Sequence, residues 1–141
     1  MSKEIIYSVP DLVEVSYRQD LEAVVLKWFS EYDEGTGVQD AVSAALDYVR
    51  RHGVKHWLAD LSTSRRGLTP KDQRWVESDA FRDAIVDSPL RRFALIPPAP
   101  ETGQDVGWLA RWEANTLAKF GDAVDAKLSS DPREIRAFFA G

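Results

Sequence analysis

The sequence contains no cysteine, one methionine and only two histidines in 141 residues. Without cysteine there is no disulfide framework, no thiol nucleophile, no iron–sulfur cluster and no cysteine-ligated zinc. Long apolar runs are missing too, the longest extending a few residues where roughly 20 are needed to cross a bilayer. The opening Met1-Ser2-Lys3-Glu4-Ile5-Ile6 has no basic start, apolar stretch and small-residue cleavage site, so a cytoplasmic protein without a transmembrane segment is expected. Positive charge is in deficit: 18 Lys and Arg stand against 23 Asp and Glu, a net charge of -5. That balance argues against a phosphate backbone as partner, so no nucleic acid is expected. There is also no Gly-rich phosphate loop, no nucleophile-elbow pentapeptide and no His-Glu-x-x-His, which removes the recognisable catalytic constellations. The expectation is a protein that is not an enzyme and carries no cofactor.

What is present is the material of an ordinary core. Hydrophobic residues make up 44% and charged residues 29%, and the length suits a single domain over 1–141. Ile5, Tyr7 and Val9 alternate before Pro10-Asp11 breaks the run, and Val13, Val15 and Tyr17 alternate again. After the polar Arg18-Gln19-Asp20, Leu21 to Phe29 resumes as a β-branched and aromatic run, so a hairpin is expected. Val38, Ala41, Val42, Ala45, Leu46 and Val49 then recur at helical spacing, with Thr36 and Gln39 fitting a capping box and Gly53 a helix end. His56 to Leu61 is a short apolar strand running into Ser62-Thr63-Ser64-Arg65-Arg66-Gly67.

Thr69 as N-cap and Pro70 at the first helical position start a second helix through Trp75, Val76, Ala80, Ala84 and Ile85, closed by Ser88-Pro89. Arg92 to Ile96 is another strand. Thr102 with Asp105 opens a third helix through Val106, Leu109, Trp112 and Leu117 toward Gly121. Val124, Ala126 and Leu128 form a last strand, and Asp131, Pro132 and Glu134 start a short terminal helix carrying Ile135, Phe138 and Phe139. The expected class is α/β, with N-terminal antiparallel strands followed by helix–strand repeats, a mixed sheet and right-handed crossovers.

Several stretches together resemble a known group: the opening meander with Trp28, the strand Trp57-Leu58-Ala59-Asp60, Leu68-Thr69-Pro70-Lys71-Asp72-Gln73-Arg74-Trp75, and Arg92-Phe93-Ala94-Leu95-Ile96-Pro97. Nearly the whole chain is similar in element order to small bacterial proteins of the SpoIIAA-like (STAS/SEC14-type) group. The resemblance implies a fold shared by anti-sigma-factor antagonists, STAS domains attached to transporters and sensors, and lipid-carrying SEC14-type domains. The antagonists use a phosphorylatable Ser or Thr in the turn after a strand. Here Asp60 to Thr69 departs from their Asp-Ser-Ser-Gly type of motif, so no phosphorylation site carries over.

The candidate sites each admit two readings. Asp60, at the C-terminal end of a central strand, either faces a ligand or partner or caps the turn that follows it. Ser62, Thr63, Ser64, Arg65 and Arg66 place three hydroxyls beside two guanidinium groups, which suits an anionic partner or a clamped phosphate, though a solvated turn whose hydroxyls satisfy backbone groups is the commoner outcome of such a cluster. His52 and His56 are separated by the helix-ending Gly53, so they should not share a face and no metal is expected. Trp108 and Trp112 would form one ridge on the third helix, either packing or lining an apolar ligand site. Asp79 and Asp83 read as solvated surface of the second helix.

The leading expectation is a binding or regulatory module that engages a protein partner, a second copy of the chain included, through loop 60–69 and the start of the following helix. The alternative is a carrier of a small apolar molecule or lipid in an aromatic-lined cavity. A deep aromatic cavity would favour the carrier, and a flat, basic, loop-rich face the partner module.

Overall fold

Alternation of apolar and polar side chains builds the first half of the sheet. In the computed structural model, which describes residues 3–104, 107 and 109–141, β1 (Lys3–Val9), β2 (Val13–Arg18) and β3 (Ala23–Trp28) form an antiparallel meander. Val13, Val15, Val24, Leu26 and Trp28 point to one face and Ala23 and Val25 to the other, as a period of two requires. The two turns place Asp11 (φ 64°) and Glu22 (φ 51°) in the left-handed region, without glycine at either position.

From β3 onward the strands run parallel: β4 (His56–Asp60), β5 (Arg92–Ile96) and β6 (Asp125–Leu128). Spatial order equals sequence order across all six strands. Each crossover therefore steps in the same direction, and crossovers of one hand put their helices on one face. That face carries α1 (Gly37–His52), α2 (Pro70–Val76), α3 (Asp79–Val86) and α4 (Leu109–Phe120), packed on the larger core cluster. The terminal helix α5 (Pro132–Ala140) covers the opposite face, where Ile135 and Phe139 close over Leu21, Ala23, Val25, Leu58 and Ala94. The result is an α/β fold with a mixed sheet. None of its helices is long and apolar enough to cross a membrane among the described residues.

Local chemistry explains the helix ends, with three departures from the sequence reading. Thr36 and Gln39 form no capping box. Asp33 Oδ2 instead accepts from the Gly37 amide at 2.8 Å, and Gln39 Nε2 donates to Asp72 Oδ1 at 3.1 Å. The expected second helix is two helices. Thr69 accepts from the Asp72 amide at 3.1 Å and starts α2, and Ser78 accepts from the Phe81 amide at 3.2 Å and starts α3. A second cap competes with helix continuation because a Ser side chain offers the backbone an alternative partner. Thr102 does not open α4. It ends a 3-10 turn (Pro100–Thr102), donating to Ala99 O at 2.8 Å, and Gly103 follows with φ 71°; Asp105 and Val106 lie outside the described residues.

Candidate functional site

The loop after β4 is tied down along its length. Asp60 Oδ1 accepts from both the amide (2.9 Å) and the hydroxyl (2.6 Å) of Ser62, so Asp60 holds the turn. The Thr63 hydroxyl donates to Trp28 O at 2.9 Å. Ser64 is fully buried, with its hydroxyl 2.7 Å from Glu31 Oε2, so a partner at the surface does not reach it. Arg65 anchors its amide on Phe29 O and leaves its side chain exposed. Arg66 is exposed as well, its guanidinium 3.5 Å from the centre of the Tyr32 ring. The hydroxyls expected to form a recognition cluster are thus engaged in the turn and the inner wall, while the two arginine side chains face outward.

Beneath α2 and α3 lies a cavity of about 480 Å³. Its floor is the sheet: Leu26 and Trp28 from β3, Trp57 and Ala59 from β4, Phe93 and Leu95 from β5. These residues share a face because each sits at an odd step of a parallel register in which Leu26 pairs with Ala59 and Ala59 with Leu95. Val38 and Val42 of α1 form one side, Val76 and Phe81 the roof, and Trp112 and Phe120 of α4 the other side. The volume falls within the range of sites that enclose small molecules, and the lining is dominated by apolar and aromatic groups, as such sites are. Rings meet inside it: Phe93 lies 5.7 Å from Trp112 and 6.0 Å from Trp57. Gln73, Glu77 and Asn115 line the cavity and are themselves exposed, which marks where it meets solvent.

Besides Glu77 at the mouth, two ionisable side chains stand in this wall, Glu31 and Lys119. Glu31 is 8% exposed, and burial pushes its carboxyl above the usual carboxylate range against the opposing pull of hydrogen bonds from Ser64 and Gln104. Gln104 Nε2 donates to Glu31 Oε2 at 3.2 Å and to Ser64 O at 3.1 Å, so the three residues form one network. Lys119 donates to Val76 O and lies 5.4 Å from the centre of the Phe81 ring. Burial lowers its pKa.

Of the residues singled out in the sequence, Trp112 lines the cavity and Trp108 lies outside the described residues. His52 packs on Tyr48, while His56 lies under α5, stacked on Phe139 at 4.7 Å. The two histidines therefore lie apart, His52 exposed at the end of α1 and His56 buried beneath α5. Among the described residues no cluster of His, Asp or Glu is arranged to hold a metal ion. Asp79 and Asp83 are exposed and both pair with Arg82.

Glu31 and Gln104 are the polar residues that sequence reasoning passed over. Glu31 sits in Ser30-Glu31-Tyr32-Asp33-Glu34, which has the composition of a solvated loop. Tertiary contacts draw it inward: its amide donates to Arg66 O at 2.8 Å, and its carboxylate accepts from Ser64 and Gln104. Compared with protein-family models, curated proteins and solved structures, the chain shows no match.

Proposed function

We propose that this chain is a non-enzymatic binding protein for an apolar small molecule, held in the cavity between the sheet and α2, α3 and α4. The observation that carries this reading is the cavity itself: about 480 Å³, floored by Trp28, Trp57 and Phe93 and walled by Trp112 and Phe120. A well-packed domain does not leave such a volume unfilled without losing contacts, since interiors are close-packed and each void forfeits dispersion and burial energy. The element order also supports grouping the chain with SpoIIAA-like (STAS/SEC14-type) proteins, of which the SEC14-type members carry lipids in an internal site.

The test uses N-phenylnaphthylamine, an apolar dye that fluoresces in dry surroundings. Saturable binding with one site per chain is expected. Ala59→Trp places an indole on the cavity floor and should abolish that binding while the fold remains, because the added volume enters existing space. Equal dye binding by the wild type and a folded Ala59→Trp variant would overturn the reading.

A second reading is favoured by one observation. Arg65 and Arg66 are exposed side by side on a chain of net charge -5. We infer from this a contact point for an acidic partner, such as a protein, at loop 60–69, now without the three hydroxyls as its contact groups.

A further inference from the structure

We propose that the ligand is an apolar organic cation, an amine on an aromatic or aliphatic body, anchored by the Glu31 carboxylate. The proposal rests on the cavity reading above and names the chemistry that reading leaves open. Glu31 lines the cavity and is nearly buried, yet its partners are neutral: the Ser64 hydroxyl and the Gln104 amide, both on Oε2. No Lys, Arg or His among the described residues forms an ion pair with it. A carboxylate in this position is desolvated and lacks a counter-charge, which a bound ammonium group supplies.

The walls suit the same ligand. Trp28, Trp57, Phe93, Trp112 and Phe120 line the space with aromatic rings, a residue type whose faces attract cations as well as apolar groups. The net charge of -5 draws cations toward the molecule.

Lys119 is the feature that would favour an anion instead, and its surroundings argue otherwise. Its ammonium is already served by Val76 O and by the Phe81 and Phe120 rings, at 5.4 and 5.9 Å. Its charge also answers to Glu77 and Asp79, so an incoming carboxylate meets a cation that already has partners. The other charged groups around the site are Arg66, stacked on Tyr32, and Glu34, which accepts from the Tyr32 hydroxyl; neither pairs with Glu31. Burial raises the affinity of Glu31 for a proton, so a proton competes directly with the ammonium group for this oxygen pair. Binding of an amine should therefore weaken as the pH falls.

Three probes of one shape separate the alternatives: naphthylethylamine, naphthylethanol and naphthylacetate, titrated calorimetrically into the full chain. The amine should bind at least about tenfold more tightly than either of the others, the scale of a hydrogen bond to a charged group. The advantage should disappear on acidification and in Glu31→Gln. The comparison among probes and the pH series use the wild type alone, so a misfolded variant leaves the test intact. Equal binding of amine and alcohol, or tightest binding of naphthylacetate, overturns the cation while leaving an apolar site. Binding of none of the three overturns the cavity reading as well.

Discussion

Truncating Phe139 tests whether one short helix is what closes the second face of the sheet. The ring is 4% exposed, packs with Ile135 on Leu21, Ala23, Val25, Leu58 and Ala94, and stacks on the His56 imidazole at 4.7 Å and 6°. Burying a Phe and then removing it costs about 3–5 kcal/mol in a fixed core, with roughly 0.5–1.5 kcal/mol of that range attributable to aromatic stacking. The His56 ring itself stays put, because its Nδ1 donates to Leu21 O at 2.9 Å. Helix α5 has nine residues, a length that does not hold a helix in water without packing, so part of the lost space closes as the helix settles. The lower end, about 3 kcal/mol, is therefore expected for Phe139→Ala. In urea unfolding followed by tryptophan fluorescence, a slope near 2 kcal/mol/M would turn this into a midpoint shift of roughly 1.5 M. The half-buried Phe138 should cost about 1 kcal/mol on the same assay, an ordinary loss for a partly packed side chain. A loss below about 1 kcal/mol for Phe139→Ala with an unchanged slope would show that α5 is not what seals this face.

Three further outcomes follow from particular atoms. Ser78→Ala should destabilise by about 1 kcal/mol through loss of the α3 cap, and Ser78→Asp should recover most of it in a thermal melt, because Asp keeps the acceptor and adds a charge suited to a helix start. Glu31 has a native pKa above its ordinary value of 4.5, so the folded state binds the proton more tightly than the unfolded state. Its contribution to stability is therefore best at low pH and declines as pH rises from that value through the native one. Glu31→Gln should remove that decline, and the difference between wild-type and variant melting temperatures across pH reads it; a flat difference would refute the assignment. Replacing Arg65 and Arg66 together with Ala should cost no more than about 1 kcal/mol, the scale of an exposed cation–π contact. A larger loss in urea unfolding would mean that the pair supports the loop structurally.

The sequence alone determined the elements whose signals are local. Alternation placed the first two strands and a β-branched, aromatic run the third, helical spacing with Gly53 placed α1, and Asp131-Pro132 placed the start of α5, where Asp131 accepts from the Arg133 amide at 2.9 Å. The sequential order of strands and helices was enough for the mixed sheet, because right-handed crossovers leave few arrangements. Caps that depend on distant partners were not legible. Gln39 has two neighbours to choose from, Thr36 along the chain and Asp72 across the fold, and only packing α2 against α1 decides for Asp72.

The tertiary structure alone decided the candidate site. Ser64 reads in the sequence as one hydroxyl of a polar surface turn, but the turn folds inward and buries it on Glu31. Glu31 carries no local mark that separates it from the acidic loop around it. The cavity has no sequence signature either: an aromatic that lines a void and one that fills a core obey the same periodicity, since both simply point away from solvent. What distinguishes them is whether the roof, here α2 and α3, descends far enough to touch the floor, and that distance is set by chain segments far apart in sequence.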